Sequence, residues 1–385
     1  MSSIRHIVYE CLPGAFPGGV QKMAFELALA QRRLGAEVEV WTTDALRAGT
    51  TEVFGGLPVR YFKPDRTFGY AKSRDLVEAI AALPENSVLH GHSTYHLLNL
   101  QVGRAARRYR HRVFYHPHGA LSPVWLRGYN LQVLKKRAYI WAFEQPNLRK
   151  AAGVFALTEV ERRDLVNLGV DAPVHLLPNG ITPVMAAEAA TGQELRRKHG
   201  IPQAAPALLF IGRIVPLKKI EDMIGTLAAL KEACPNLQLI VAGNPQEDAR
   251  YQTMLQRQVA EMGLGGRVHW VGFLNETDKR AAYGASQVFI HASESEGMSI
   301  SILEAMSAGL PVVASQGCNM ALAAQAGALV EFSTGPEALA AALRPLFADH
   351  AVARAQGDAG RAYVGTIHDW SAIARNSLGI YAGQV

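Results

Sequence analysis

The chain has 385 residues, 49% of them hydrophobic, with a net charge of +6 and three cysteines far apart at positions 11, 234 and 318. That length calls for two domains, each with its own core. The odd, scattered cysteines exclude a disulfide framework and a cysteine metal knuckle, no apolar run approaches the ~18 residues of a membrane span, and no basic segment with an apolar core opens the chain.

Strand-like runs come first at 4–9, 37–42, 59–62, 87–90, 112–116, 153–157 and 174–177, with amphipathic segments such as 20–34 and 159–168 between them. Pro178-Asn179-Gly180-Ile181-Thr182-Pro183 then breaks the pattern, and a polar helix near 191–199 leads to a restart, so 180–205 reads as a linker. The second set of strands is 207–212, 237–242, 268–271, 287–291 and 311–314, with helices over 220–233, 248–262 and 336–347 and a closing helix over 369–381. Repeated βα units predict an α/β fold of two facing, Rossmann-like, doubly wound domains with ligands at the carboxyl ends of the strands. The expected domains are 1–185 and 186–365, with the closing helix in 366–385.

Chemistry concentrates in residues 291–315. A helix is predicted over 299–308, with Gly309 in the left-handed position after it and Pro311 as the stop. Glu296 falls in the loop before this helix and Glu304 one to two turns inside it. The amides of Gly297, Met298, Ser299, Ile300 and Ser301 form an anion-binding end. A carboxylate on each side of such an end suits a diphosphate with hydroxyls at both ends, which describes a nucleotide sugar. Strand–loop–helix units with two glutamates also occur by chance, so the neighbouring motifs decide.

Charge is uneven. Residues 1–185 carry 23 Lys and Arg against 15 Asp and Glu, whereas 186–385 carry 16 against 18. Within 101–150 there are 11 basic residues and one acid, Glu144. Arg104, Arg107, Arg108, Arg110 and Arg112 precede a stretch in which Lys135, Lys136 and Arg137 alternate with Trp125, Tyr129, Leu131, Leu134, Tyr139, Trp141 and Phe143. This is a surface for anionic headgroups or a pyrophosphate-bearing acceptor, or else a solvated helix face. No nucleic-acid recognition motif accompanies it.

The first βα turn, Pro13-Gly14-Ala15-Phe16-Pro17-Gly18-Gly19-Val20, has tandem glycines that let backbone approach a phosphate, but lacks a dinucleotide fingerprint. Gly212-Arg213-Ile214-Val215-Pro216-Leu217-Lys218-Lys219 follows the first strand of the second half. His116-Pro117-His118-Gly119 follows a strand of the first. Histidines 90, 92 and 96 alternate at a strand end with no nearby carboxylate, which favours lining a cleft over holding metal.

Taken together, Glu296-Gly297, Glu304-Ala305-Met306 and Gly309-x-Pro311-Val312-Val313 resemble the donor-site signature of the retaining family-4 glycosyltransferases of GT-B fold. The Gly212-Arg213 and Lys218 segment, Pro117-His118-Gly119, Val271-Gly272-Phe273-Leu274 and Pro178-Asn179-Gly180 resemble further motifs of that family. Polysaccharide-assembling members, which build bacterial exopolysaccharide, capsule or O-antigen, are the most similar. Lys219 stands where the family usually has glycine, which leaves open which lysine reaches the phosphate.

The resemblance implies a retaining, metal-independent transfer with no cofactor, and a closing helix that crosses back onto the first domain. Arg213 and Lys218 would stabilise the departing diphosphate, Glu296 the sugar hydroxyls and Glu304 the ribose. Gly18 and Gly19 would lie over the diphosphate, Phe273 and Leu274 at the base, and His118 beside the reacting sugar. The implied partners are a nucleotide-sugar donor and a glycan or polyprenyl-diphosphate-linked acceptor. Composition points to the cytoplasm, and the basic segment, if it is not a solvated helix face, to the inner face of the membrane. Two other readings stay open: a GT-B nucleotide-sugar epimerase, which needs no acceptor, and a non-enzymatic membrane- or polyanion-binding protein.

Overall fold

The computed structural model describes residues 3–13, 18–67, 70–128, 131–185 and 189–384. Two compact units emerge: residues 1–180 with 369–385, and residues 181–368. The division falls at Gly180/Ile181 rather than at 185/186, and the chain returns to the first unit at Asp369 rather than at 366.

Among the described residues, the strands of the first unit are β1 (Ile4–Tyr9), β2 (Val38–Thr43), β3 (Thr51–Phe54), β4 (Leu57–Phe62), β5 (Asp65–Thr67), β6 (Tyr70–Lys72), β7 (Val88–His92), β8 (Arg112–His116), β9 (Gly153–Ala156) and β10 (Val174–Leu176). Eight of them form one sheet in the order β10-β9-β8-β7-β1-β2-β4-β3. Its pairings are parallel except β3 with β4. The order reverses at β1, so crossovers leave on opposite faces there and a crevice opens beyond the ends of β1 and β7. Both faces are covered, as continuous apolar strands require. Ile4 and Val8 enter one core, while Ile7 enters the other. The helix Trp370–Ala382 places Ile373, Ala374, Ile380 and Tyr381 in the first of these cores.

The second unit holds β11 (Ala207–Ile211), β12 (Gln238–Ala242), β13 (Val268–Gly272), β14 (Val288–His291), β15 (Val312–Ser315) and β16 (Val330–Phe332). They form a parallel sheet in the order β13-β12-β11-β14-β15-β16. Ala207 and Leu209 pack on one face, Leu208 and Phe210 on the other, which is the period-two alternation of a strand buried on both sides. Here the order reverses between β11 and β14. The loops after these two strands carry Arg213, Lys218 and Glu296.

Several elements went unread in the sequence. The edge strand β3 is short and half exposed. The helix His350–Ile367 contains Gly357 and Gly360, which weaken a helical pattern. A Cβ at Gly357 would lie 2.3 Å from the Gly309 carbonyl oxygen, so close backbone packing explains that glycine.

Candidate active site

The loop–helix expectation for 291–315 matches the structure. Ser299 caps the helix Ile300–Ser307, Ala308 ends it, and Gly309 takes φ 80°. None of the amides of Gly297 to Ser301 finds an acceptor among the described residues. They present N–H dipoles at a helix start, which is an anion site in electrostatic terms.

Backbone contacts hold Glu296 in front of these amides. Its N–H donates to the Gly317 carbonyl at 2.9 Å, and its own carbonyl accepts from the Asn319 side chain at 2.6 Å. A Cβ at Gly317 would lie 2.4 Å from the Ser293 carbonyl oxygen, so only glycine lets the loops after β14 and β15 meet. The loop after β11 is tied in as well, with Glu294 N–H donating to the Leu217 carbonyl at 2.9 Å.

Across the switch point, Lys218 donates to the Glu296 carboxylate, and His291 Nε2 reaches the same oxygen at 3.0 Å. Their side chains are 9% and 15% exposed for Lys218 and Glu296, so this ion pair is largely out of water. Burial works to raise the Glu296 pKa, but the ammonium and the His291 hydrogen bond outweigh it and hold the carboxyl well below its usual range. Burial lowers the His291 pKa and keeps its ring neutral. Lys219 turns away to Glu294 at 3.0 Å. It does so from a left-handed backbone, φ 51°, the conformation that glycine would adopt without strain. The glycine-type turn is therefore retained, and Lys218 is the lysine that joins Glu296. Arg213 is exposed and makes no ion pair among the described residues.

Glu304 is buried, 3% exposed. Lys279 donates to both of its oxygens at 2.9 and 3.0 Å, and the Tyr283 hydroxyl donates to one at 3.1 Å. Burial acts to lower the Lys279 pKa, yet Glu304 and Glu276 together raise it. Any ligand hydroxyl at Glu304 must share it with this lysine. Lys279, Tyr283 and His291 were missed from sequence because each comes from an element whose pattern reports only burial. Leu274 packs in the core and Phe273 is 81% exposed, so only Phe273 offers a side chain to a ligand.

In the first unit, Gly14 to Pro17 of the glycine-rich turn lie outside the described residues, as does Tyr129 of the basic segment. Gly18, extended at φ −167°, caps the helix Gly19–Arg33. His118 follows β8 with φ 56°, and Gly119 with φ 78°. The buried carboxylate of Glu161 fixes this turn, accepting from the Gly119 N–H at 2.6 Å and the Leu157 N–H at 2.8 Å. Burial pushes the Glu161 pKa up to about 7, although those two amides act to lower it. His118 is half buried, and desolvation brings its pKa down to about 3. A small pocket is lined by His92, His116, His118, Met23, Asn179 and Trp370 among others.

The histidines correct one expectation. His90 does not line a cleft but is buried at 0% exposure, because it points into a sheet face covered by helices, whereas His92, buried at 2%, borders the small pocket. With His6 of β1 and His116 of β8 they form a cluster that reaches His118. One ring nitrogen from each of His6, His90 and His92 lies within 4.8 Å of the others, as does one from each of His92, His116 and His118, close enough to share a metal ion. The rings of His116 and His118 stack with centroids 3.8 Å apart at 18°, which gives near-parallel rather than convergent lone pairs. His96 lies apart from them, stacked on Tyr9 at 4.9 Å.

A two-unit chain of doubly wound sheets, with a helix start of unengaged amides flanked by carboxylates and cations at a switch point, has the architecture of a GT-B enzyme. Residues 18–180 match the glycosyl transferase 4-like domain and residues 192–363 match glycosyl transferases group 1. The chain belongs to the GT4-type glycosyltransferases. It is similar to D-inositol 3-phosphate glycosyltransferase of Kineococcus radiotolerans, at 28% identity over 96% of this chain and 91% of that one. Sucrose-phosphate synthase from Thermosynechococcus elongatus shares the fold with a TM-score of 0.80 at 21% identity, over 100% of this chain and 99% of the other. Anabaena HepE in complex with UDP-glucose shares it with a TM-score of 0.77 at 18% identity, over 100% of both chains.

Proposed function

We propose that this protein moves a sugar from a nucleoside-diphosphate sugar to a hydroxyl of a glycan or lipid-linked saccharide, with retention at the anomeric carbon and no metal. Bacterial surface polysaccharide assembly is the proposed setting. The observation that carries the reading is the row of unengaged amides at Gly297–Ser301, set between Glu296 and Glu304 in the second unit. Such a row suits phosphate or sugar oxygens, and the UDP-glucose held by the Anabaena protein is a ligand of that kind.

In this reading the diphosphate carries the developing negative charge. Arg213, exposed and unpaired among the described residues, supplies a guanidinium to it. Lys218 bonds Glu296 with one of its three donors and keeps others for the leaving phosphate. Because Glu296 holds that ammonium in place beforehand, little reorganisation is needed during the reaction. These two cations do the work that a metal would otherwise do. Glu296 takes sugar hydroxyls, Glu304 takes the ribose alongside Lys279, and His118 takes a hydroxyl of the reacting sugar or acceptor. The leaving phosphate accepts the acceptor proton on the same face, so no protein nucleophile enters.

The acceptor is assigned to the basic segment of the first unit. On its surface Leu131, Leu134, Trp141 and Phe143 are exposed beside Lys135 and Lys136, a combination that fits an anionic membrane surface bearing a lipid-linked acceptor. Among the described residues no helix is long and apolar enough to cross a membrane.

A thermal-shift screen with UDP, GDP, ADP and TDP and their sugars, in EDTA, tests the donor assignment. A rise in Tm with one nucleotide supports it and names the base. No rise with any of them, with the protein folded, removes the donor site. Release of nucleoside diphosphate only when acceptor is present separates transfer from epimerisation.

A further inference from the structure

The histidine cluster contains a hydrogen-bonded chain whose direction can be worked out atom by atom. It begins at the closing helix, where the Ser377 hydroxyl donates to the Ala374 carbonyl at 2.8 Å. With its only proton committed, Ser377 Oγ must accept from Gln31 Nε2, also at 2.8 Å. That sets the Gln31 amide, so its Oε1 faces His6 Nε2 at 2.8 Å and can only accept. His6 therefore carries its proton on Nε2 and a lone pair on Nδ1. His92 Nε2 lies 2.9 Å from that lone pair and must donate to it. His92 Nδ1 is then an acceptor, and His118 Nε2 at 3.0 Å donates to it. A neutral imidazole has one proton, so each step determines the next. Burial keeps the rings neutral, lowering the pKa of His6 to about 4 and that of His92 well below 6.5.

We propose that Gln31 is a positioning residue, which acts through His6 and His92 to hold His118 as the Nε2–H tautomer and so presents His118 Nδ1 as a hydrogen-bond acceptor for a sugar hydroxyl. The last clause rests on the assignment of His118 to the reacting sugar or acceptor; the tautomer does not. His118 Nδ1 has no partner among the described residues. Gln31 itself is buried, 0% exposed, on the helix Gly19–Arg33, where it could otherwise pass for an unexplained polar core residue.

Nitrogen-15 NMR of histidine-labelled full-length protein reads the tautomers directly, with His118 assigned by loss of its signals in His118→Asn. The wild type is expected to show a pyrrole-type Nε2 and a pyridine-type Nδ1 at His6, His92 and His118. Gln31→Leu removes the acceptor at the head of the chain and should give a tautomer mixture at His118, with kcat down about tenfold, the equivalent of one neutral hydrogen bond. Gln31→Glu keeps an acceptor facing His6 and should restore both the tautomer and most of kcat. Nucleoside-diphosphate binding, in which the buried Gln31 has no part, should be unchanged in both. A wild-type His118 protonated on Nδ1 would overturn the proposal, as would a stoichiometric metal in the purified protein by elemental analysis. So would a Gln31→Leu variant with an unchanged His118 tautomer. If Gln31→Leu fails to fold, the wild-type spectrum and Gln31→Glu still decide. If no nucleotide binds while the tautomers are as expected, the transfer reading fails and the chain stands.

Discussion

Lys218→Met isolates the ion pair at the centre of the donor assignment. In the native protein Glu296 is largely buried and relies on the Lys218 ammonium and on His291 Nε2 at 3.0 Å. Methionine matches the stem of lysine but leaves the carboxylate facing a neutral imidazole. Removing one partner of a buried pair costs about 3–5 kcal/mol, because the other charge stays desolvated. For a unit of this size that is a fall in Tm of roughly 6–20 °C. The double change Lys218→Met with Glu296→Gln removes the stranded charge and should recover much of the loss, for a coupling of about 2–3 kcal/mol. The pH dependence has a definite sign. In the wild type the Glu296 pKa is held down, so its contribution is present above the ordinary carboxylate pKa and fades as pH falls. In Lys218→Met burial would raise that pKa, and the penalty would shrink as pH falls toward the unfolded value. The gap between the two proteins should therefore narrow from pH 7 to 5. Thermal unfolding of the four proteins of the cycle measures this. Additive single and double effects, or a gap that does not change with pH, would refute the account of the pair.

Three further outcomes follow from particular residues. Lys219 sits at φ 51°, so Lys219→Gly should stay within about 0.5 kcal/mol of wild type or rise above it, while Lys219→Val should fall by about 2 kcal/mol; equal effects in denaturant unfolding would contradict the strained turn. The buried histidines should make the first unit acid-sensitive: a pKa of about 4 at His6 means that its stability contribution falls by roughly 3 kcal/mol as pH drops from 6.5 to 4, against the opposite effect of Glu144 and Glu161, both raised to about 7. His116, with neither ring nitrogen satisfied and its pKa lowered by burial, should lose stability in the same direction as pH falls, so His116→Leu should flatten the acid limb of the Tm profile, and a parallel profile would contradict it. Trp141→Ser should weaken binding to anionic vesicles about tenfold or more, and added salt should weaken the wild type; equal sedimentation of both proteins would remove the membrane surface.

The sequence carried the βα alternation because buried parallel strands must be apolar and their turns need glycine, proline and asparagine. It also carried the helix start at Ser299 and the stop at Gly309, which local rules set. It did not carry the partners of the carboxylates. Lys279 and Tyr283 reach Glu304 from a neighbouring helix, and His291 reaches Glu296 from the strand before it, through contacts that no periodicity records. The histidines were visible as a spacing within β7, but their environment depends on the parallel register that sets His6 beside His90 and His92 beside His116. Lys219 was an anomaly in the sequence, and its left-handed backbone explains how a lysine serves where glycine is usual.

Isothermal titration of the stabilising nucleoside diphosphate, in EDTA, into the wild type and Glu304→Ala tests the central claim most directly. The account predicts one site per chain in the wild type. In Glu304→Ala it predicts affinity lower by about a hundredfold, because charge-assisted hydrogen bonds to the ribose are lost. Wild-type affinity in Glu304→Ala would contradict the ribose assignment, and absence of binding to the folded wild type would contradict the donor site itself.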